Sequence, residues 1–291
     1  MTTSATSLVN RVRDLLDDYG DNQTTITSAI SSTSATTCDV ASADDIDTGD
    51  YIEIDYECMR VTGIATLTLT IVRGERGSTA ATHLNAATVT VDPIYFSHRV
   101  LNNLNAALGK LTKITTDATT LDVVEDQYAY TVPSTIDKLW RVEVENSDEE
   151  DQFFVIRNWE MLDGSKFRIF GTYDEDRDIR CVGTSKFDTL TGSGNLDSDF
   201  PDGNPNAINY LIYETTGQLL LQRQAKIASR DSFVGLTDAF GANLPDHSVR
   251  TARQYLAEAE RFKALAMRQE AILQTPVAPT QSPTRHYLAR L

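Results

Sequence analysis

The hydrophobic period of this sequence changes several times, and that change constrains the fold more than any other feature. Residues 50–91 alternate polar and β-branched side chains, as in EIDYECMRVTGI and LTLTIV. This period of two predicts β-strands. On both sides of this stretch apolar residues recur every three or four positions, for example Leu8 and Val12 before it and Val100 and Leu104 after it. That period predicts helices, so helical segments must alternate with β-structure.

Four helices are predicted from these stripes. The first covers about Ser4–Tyr19, and the second follows Asp92 as N-cap and Pro93 in its first turn. The third begins at Pro205 with Asn204 as its cap, and the fourth covers about 247–273. Gly217 lies inside the third helix, where it costs about 1 kcal/mol relative to alanine. Its presence predicts a close contact with another helix.

Two β modules are predicted between the helices, each with about five strands. The first covers about 24–91, and the second about 122–191, with turn clusters such as NSDEED and YDEDRD. The core of the second module is expected to come from its large aromatic residues: Trp140, Phe153, Phe154, Trp159, Phe167 and Phe170.

Together these elements predict an α+β fold, an antiparallel four-helix bundle carrying two inserted antiparallel β modules, with an extended C-terminal arm. The expected domain boundaries are residues 1–23 (first helix), 24–92 (first β insert), 93–116 (second helix), 117–200 (second β insert), 201–273 (third and fourth helices) and 274–291 (arm).

Composition restricts the possible functions. The chain has 42 acidic and 26 basic residues and a formal net charge of −16. Proteins that grip nucleic acid need basic surface that displaces counterions from phosphates, so this class is disfavoured. An acidic surface suits a protein past which DNA slides, although it also serves solubility alone. We find no apolar stretch long enough for a bilayer and no secretory signal, so no membrane association is expected.

The sequence offers no catalytic or metal-binding motif. Three cysteines without CxxC spacing predict buried free thiols in a reducing compartment, not a disulfide framework or a zinc site. The histidines are scattered and none adjoins a nucleophile motif. The acidic run Asp174–Asp178 resembles the start of a calcium loop, but Ile179 and Ser185 replace the glycine and glutamate that an EF-hand requires. We therefore expect no enzyme activity, no cofactor and no bound metal.

The last segment, Gln274–Leu291, differs in composition from the rest of the chain. It contains three prolines and no acidic residue. Such a segment cannot build a core of its own. It is either a frayed terminus or an extended arm that presents its last residues to a partner.

One stretch resembles a known family. Glu57-Cys58-Met59-Arg60-Val61 ends a strand, a hairpin leads to Val72-Arg73-Gly74, and Arg76–His83 (RGSTAATH) follows. This pattern resembles a β module that recurs in structural proteins of tailed bacteriophages. With the expected helices and arm, the chain is similar to the head-to-tail adaptors, or head completion proteins, of phage necks.

The resemblance implies a structural virion protein located in the neck between capsid and tail, and in the host cytoplasm during assembly. It implies a homo-oligomeric ring of about twelve copies below the portal protein. A downstream neck or tail protein would bind the other side, and genome DNA would pass through without sequence-specific binding. The implied portal-contacting residues are those of the arm: Arg285, His286, Tyr287, Leu288, Arg290 and Leu291.

Other functions stay open. A tail terminator, tail-tube, baseplate or fibre-attachment protein would suit the β content equally, and a single four-helix bundle would distinguish the adaptor from tube proteins. A glycan-binding module is a further alternative, with Tyr128, Tyr130 and Trp159 stacking on sugars, although aromatic strand residues more often belong to a core. An enzyme such as a cell-wall hydrolase is the least supported interpretation.

Overall fold

A computed structural model gives the fold of the chain. It describes residues 4–16, 22–118, 121–146, 152–192, 204–234 and 244–273, with side chains in the last two ranges described for 204–225 and 248–268. The helices and strands in these ranges follow in chain order: α1 (Ala5–Leu16), β1 (Gln23–Thr25), β2 (Thr37–Asp39), β3 (Tyr51–Ile54), β4 (Glu57–Ala65), β5 (Thr68–Val72), β6 (Thr88–Val91), α2 (Ser97–Leu108), β7 (Thr112–Asp117), β8 (Ala129–Thr131), β9 (Lys138–Glu145), β10 (Phe153–Ile156), β11 (Trp159–Asp163), β12 (Lys166–Ile169), β13 (Ile179–Lys186), α3 (Pro205–Val234) and α4 (Leu244–Leu273).

The first β module is a six-stranded antiparallel sheet in the order β1-β6-β3-β4-β5-β2. It curls into a half-barrel, so that the two outermost strands approach each other. Two hydrogen bonds join the ends of β1 and β2: Thr27 N–H donates to the Asp39 carbonyl at 2.9 Å, and Ala41 N–H donates to the Thr25 carbonyl at 2.8 Å. The alternating apolar residues of the sequence fill the interior, including Ile52, which is fully buried. The period-two pattern therefore marks the inner face of this sheet.

The second β module consists of two antiparallel sheets. One has the order β10-β9-β13-β7 and the other β11-β12-β8. Both sheets contribute to one hydrophobic core, which contains Val142, Val144 and Phe167. The expectation of an aromatic core is wrong for four of six residues: Trp140, Phe154 and Phe170 are between 44% and 49% exposed, and the half-buried Phe153 lies against Arg180 outside this core. Most of the buried core residues are aliphatic instead, such as Val142, Val144 and Ile179.

The helices are grouped around α3. Helices α1, α2 and α4 all contact α3 and share one hydrophobic core. Helix α4 packs antiparallel to α3, since Lys263 Nζ lies 5.7 Å from the Tyr210 ring and Leu256, one to two turns earlier on α4, lies beside Gly217. Buried small residues on α4, Ala252 and Ala259, allow this close approach.

The predicted four-helix bundle is wrong. Helices α1 and α2 have 12 residues each, whereas α3 and α4 have 30 each, so the four cannot run side by side along their lengths. Within the described residues, thirteen strands in three antiparallel sheets outnumber the four helices, and the fold is mostly β with some helix. The apolar stripes correctly mark buried faces, such as Leu8 and Leu104, but a stripe does not specify which neighbour buries it.

The second helix is shorter than the predicted range of 93–116. It begins at Ser97 and ends at Leu108, and residues 112–117 form β7. Asp92 does not cap it. Instead Asp92 has a φ of 43°, and its carboxylate accepts a hydrogen bond from Tyr51 N–H at 2.9 Å. Because the Asp92 side chain bonds to the backbone of β3, it does not cap α2 as the sequence suggested.

Two predictions about α3 are confirmed. Asn204 is its N-cap, because Asn204 Oδ1 accepts a hydrogen bond from Ala207 N–H at 3.2 Å. Gly217 is a site of close helix contact. A Cβ atom there would lie 2.8 Å from Leu256 Cγ and 3.1 Å from the Ala252 carbonyl oxygen, both on α4.

Replacing Gly217 by valine should therefore separate α3 from α4. We expect the free energy of unfolding to fall by about 2–3 kcal/mol, because the added methyl groups meet helix backbone that cannot rotate away. Urea unfolding measures the change. The matched control is Ala225→Val at an exposed position of the same helix, which should cost only about 0.5 kcal/mol. Equal losses in the two variants would contradict the close contact.

Among the described helices, none is both long and apolar enough to cross a membrane.

Candidate functional site

The motif that resembles the phage module forms the connection between β5 and β6. Its chain reverses through backbone conformations with positive φ at Gly74 (64°), Arg76 (54°) and Gly77 (86°). Two of these positions are glycines, which adopt this region without steric cost. The reversal brings residues 78–83 back over the start of β4. The glycine spacing of the motif therefore reflects a tight turn.

The carboxylate of Glu57, at the start of β4, binds both ends of this connection. It accepts hydrogen bonds from Arg73 Nε at 2.7 Å and Arg73 Nη2 at 2.6 Å. It also accepts the backbone N–H groups of Gly74 at 3.1 Å and Ala81 at 2.9 Å. We call the group formed by Glu57, Arg73, Gly74, Ala81 and His83 the Glu57 clasp.

His83 completes the clasp. Its Nε2 lies 2.9 Å from Glu57 Oε2, and its Nδ1 lies 2.8 Å from Asp55 Oδ2. Burial opposes a charge on His83, but the hydrogen bonds to Asp55 and Glu57 outweigh burial and raise the pKa of the imidazole. With a carboxylate at each ring nitrogen, the imidazolium form donates both hydrogen bonds.

The same contacts act on Glu57 in the opposite direction. Burial alone would raise its pKa, but the hydrogen bonds from Arg73, His83 and Ala81 lower the pKa to about 2. Glu57 is therefore ionised over the whole physiological range. Its side chain is fully buried, and that of Arg73 is 7% exposed, so the clasp is a desolvated ionic network.

Arg76 and Ser78 attach the same connection to its surroundings. The Arg76 guanidinium lies 3.7 Å from the centre of the Tyr51 ring and 5.0 Å from that of Phe96, which precedes α2. The Arg76 carbonyl oxygen lies 3.2 Å from His98 Nε2 on α2. Ser78 Oγ accepts a hydrogen bond from Cys58 N–H at 2.9 Å. The motif thus connects the half-barrel to the helices.

A second buried carboxylate, Glu53 on β3, strengthens this connection. It accepts hydrogen bonds from the Ser97 N–H and hydroxyl at the start of α2, the latter at 3.1 Å, and from Arg13 Nη1 of α1 at 3.2 Å. A carboxylate at a helix N-terminus satisfies free N–H groups and the helix dipole. Burial nevertheless raises the pKa of Glu53 to about 7, against the effects of Arg13 and Ser97. We call Glu53, Arg13 and Ser97 the Glu53 joint.

A cavity of about 930 Å³ lies where the clasp and the joint meet, between α1 and the half-barrel. Charged residues line it: Arg13, Glu53, Asp55, Glu57 and His83. Each of these side chains is hydrogen-bonded to another residue in the lining or next to it. The groups therefore hold the two parts of the protein in place instead of presenting unsatisfied charge to a ligand.

The described residues contain no arrangement for nucleophilic or metal chemistry. Of the two histidines whose side chains are described, His83 contacts carboxylates and His98 contacts a backbone carbonyl. No cluster of three or more His, Cys, Asp or Glu residues in these ranges is arranged to hold a metal ion. Cys38, Cys58 and Cys181 are buried and free, as predicted. Burial raises their thiol pKa values to about 11, 12 and 12, which keeps them protonated.

The portal-contacting residues predicted from the sequence lie in 274–291, outside the described residues. The aromatic residues considered for sugar stacking do not form one platform. Tyr130 is buried and stacks 5.8 Å from the Phe167 ring, and Trp159 meets the same ring edge-on at 6.5 Å, while Tyr128 is exposed.

The clasp residues belong to the motif in the sequence, but their contacts were not predicted from it. In the sequence, Glu57 begins a strand and is followed by the apolar Cys58 and Met59, and Arg73 and His83 flank one glycine-containing turn. A buried carboxylate requires a partner, and Arg73 and His83 are two of the cations that the module offers. The Glu53 joint has a similar signal, since Glu53 lies between the buried Ile52 and Ile54.

Comparison with known proteins adds no relative: no protein-family model matches the sequence, and no curated protein matches it.

The Glu57 clasp and the Glu53 joint predict an unusual dependence of stability on pH. Glu57 has a lowered pKa, so its contribution is complete above about pH 4.5 and is lost as the pH falls towards about 2. His83 has a raised pKa, so its contribution is complete below about pH 6.5 and is lost at higher pH. Glu53 binds its proton more tightly in the folded state, so its contribution falls between about pH 4.5 and 7.

These three groups place the maximum of stability near pH 4.5, where Glu57 is ionised in both states and the decline due to Glu53 begins. The decline above it due to Glu53 is on the order of 3 kcal/mol. Urea unfolding at a series of pH values from about 3 to 9 measures the profile. Glu53→Gln should flatten the decline between about pH 5 and 7 and leave the acid limb unchanged. A wild-type stability that rises through this interval, with the same profile in Glu53→Gln, would contradict the assignment.

Proposed function

We propose that the chain is a structural virion protein of a tailed bacteriophage, a head-to-tail adaptor of the neck. It forms a ring, of about twelve copies, below the portal protein. It joins the capsid vertex to a downstream neck or tail protein and lets genome DNA pass. The observation that carries this proposal is the Glu57 clasp, which gives a structural role to the residues that resemble the phage module: Glu57, Arg73, Gly74, Ala81 and His83.

Such a role requires a rigid module attached firmly to the helices. The Glu57 clasp rigidifies the turn, while Arg76 and the Glu53 joint connect the half-barrel to α1 and α2. A neck component is under load during DNA packaging and ejection. Buried ionic connections resist such load, because pulling the partners apart leaves each buried charge unpaired. The site thus supports a mechanical function and no chemical conversion.

The net charge of −16 supports the same proposal. A ring of such chains carries a dense negative potential, and acidic groups that face a channel repel the phosphate backbone. DNA then passes without adhering to the wall. The arm residues Arg285, Tyr287 and Leu291 carry the opposite character, basic and apolar, which suits an anchor on the portal protein.

The sheets favour a second candidate. The helices do not form the bundle that would distinguish an adaptor from tube proteins, and three antiparallel sheets are also suited to a tail terminator, a baseplate or a fibre-attachment protein. The adaptor proposal therefore rests on the motif, the acidic charge and the long antiparallel pair α3 and α4.

Native mass measurement of the full chain, alone and with the portal protein of the same phage, tests the proposal. We expect a discrete ring on the portal. Replacing Arg285, Tyr287, Leu288, Arg290 and Leu291 by serine should weaken that complex at least tenfold, whereas replacing Thr280, Gln281, Ser282 and Thr284 by alanine should not. A chain that ignores the portal but assembles into tubes or stable trimers would reject the adaptor and favour a tail component.

A further inference from the structure

Strand β10 is an open edge of the four-stranded sheet. It pairs with β9 on one side, and no described strand pairs with its other side. The hydrogen bond from Asn146 N–H to the Gln152 carbonyl, at 2.6 Å, fixes the phase of the ladder. Since hydrogen-bonded and non-hydrogen-bonded pairs alternate in antiparallel strands, the next pair, Glu145 with Phe153, is not hydrogen-bonded.

The backbone groups of Phe153 and Val155 therefore point away from β9. A second hydrogen bond agrees with this alternation. Glu145 N–H donates to the Asp178 carbonyl beside β13 at 3.0 Å, so the Glu145 backbone faces β13 and not β10. Within the described residues, neither Phe153 nor Val155 has a backbone partner on the outer side. Two N–H and two carbonyl groups on this edge thus have no hydrogen-bond partner among the described residues.

The side chains of this edge are apolar. Phe154 is 44% exposed and Val155 is 48% exposed, on opposite faces of the strand. Natural proteins protect edge strands with charge, proline or a covering segment, because an apolar edge pairs readily with any extended chain. Strand β10 carries no charged residue and no proline in Phe153–Ile156. We therefore expect another extended segment to cover this edge strand.

A segment of this chain has the complementary character. Residues 284–291, TRHYLARL, contain no proline and no acidic residue, so every N–H is available for a ladder. In an extended conformation Tyr287 and Leu291 lie on one face and Leu288 on the other. Apolar side chains would thus be available on both faces, which matches the two exposed faces of β10.

The chain is long enough to bring this segment to β10. Helix α4 runs antiparallel to α3 and contacts β7, the opposite edge of the same sheet. Three strand spacings separate β7 from β10, about 14 Å. A ten-residue segment with three prolines, such as 274–283, would reach about 31 Å in a polyproline-like conformation. That reach exceeds the separation of the two edge strands.

We propose that residues 284–291 add as a further strand to the open edge of β10. Backbone hydrogen bonds to Phe153 and Val155 provide affinity, and Tyr287, Leu288 and Leu291 pack beside Phe154 and Val155. This inference goes beyond the proposed function and does not depend on it. Because the same residues would contact the portal protein, the two uses exclude each other, and portal binding would release the segment from β10.

Hydrogen exchange on the full chain tests the pairing without any portal protein. We expect the amides of Phe153 and Val155 to exchange at least tenfold faster in a variant with Tyr287, Leu288 and Leu291 replaced by serine, while the amides of Phe154, Ile156 and β9 keep the wild-type rate. Equal rates in the wild type and the variant would overturn the proposal. Protection that grows with protein concentration would show that a neighbouring copy supplies the same segment.

A substitution in β10 tests the same contact from the other side. Val155→Pro removes an outward N–H and leaves the pairing with β9 intact, since proline is tolerated on the open side of an edge strand. Val155→Thr is the matched control, because threonine keeps the N–H and the β-branched shape. We expect trypsin to cut after Arg285 at least tenfold faster in Val155→Pro than in the wild type or Val155→Thr.

Equal cleavage in the three proteins would overturn the proposal. If Val155→Pro does not fold, the exchange measurement decides alone. Failure of the pairing in the free protein leaves the portal measurement unaffected, so the two proposals can fail separately.

Discussion

Replacing Glu57 by alanine is expected to lower the free energy of unfolding by about 3–5 kcal/mol, because it leaves two buried cations without their carboxylate. Arg73 and His83 have side chains that are 7% and 1% exposed, so water cannot substitute for the lost partner. The backbone N–H groups of Gly74 and Ala81 lose their acceptor as well. The turn that they fix should then unfold locally before the rest of the protein.

Urea unfolding with hydrogen exchange measures both effects. Glu160→Gln is the matched control, since the Glu160 carboxylate is 52% exposed and lies 3.7 Å from Arg168. Exposed pairs of this kind contribute about 0.5 kcal/mol or less. If Glu57→Ala loses no more stability than Glu160→Gln, the Glu57 clasp does not stabilise the module. Should Glu57→Ala fail to fold, Glu57→Gln provides a milder test, because it keeps the size of the side chain.

Replacing Gly183 by alanine is expected to cost about 3 kcal/mol or more. A Cβ atom on Gly183 would lie 2.3 Å from the Lys138 carbonyl oxygen and 2.4 Å from Ile136 Cγ2. The pairing of β13 with β9 shifts register between Val182 and Gly183, and this irregularity brings the two backbones together. A carbonyl in a ladder cannot move without breaking the pairing around it, so the clash must open the sheet.

Thermal and urea unfolding measure this loss, and near-ultraviolet circular dichroism shows whether the second module keeps its packing. Gly164→Ala is the matched control. Gly164 lies between β11 and β12 with no atom within 4 Å of an added Cβ, so alanine there should change stability by less than about 1 kcal/mol. Similar losses at Gly164 and Gly183 would mean that the close approach at Gly183 is relieved at little cost.

Local signals predicted much of the secondary structure. The period-two runs correctly indicated both β modules, and the stripes through Leu8 and Leu104 correctly indicated buried helix faces. Asn204 and Gly217 were assigned the correct roles, because a cap and a close approach depend on one residue and its immediate surroundings. These features follow from steric and hydrogen-bonding preferences that act within a few residues of the chain.

The arrangement of the elements was not predictable in the same way. Glu57 and His83 are 26 residues apart, and Glu53 and Ser97 are 44 apart, so no local pattern reports these contacts. The bundle prediction was wrong because an apolar stripe is compatible with burial against a sheet, a short helix or a long helix. The aromatic core was wrong because Trp140 and Phe154 lie at positions where the strand meets solvent.

The half-barrel has an evolutionary consequence that follows from where it begins and ends. Its first and last strands are neighbours, with Gln23 opposite Thr90, and Val91 N–H donates to the Asn22 carbonyl at 3.0 Å. The residues at which the chain enters and leaves the half-barrel are thus hydrogen-bonded to each other. Adjacent ends are what allow a module to be inserted into a connection between two helices, or removed from it. For this half-barrel the transfer also has to bring or replace Arg13 and Ser97, because these two helix residues bond to the buried Glu53.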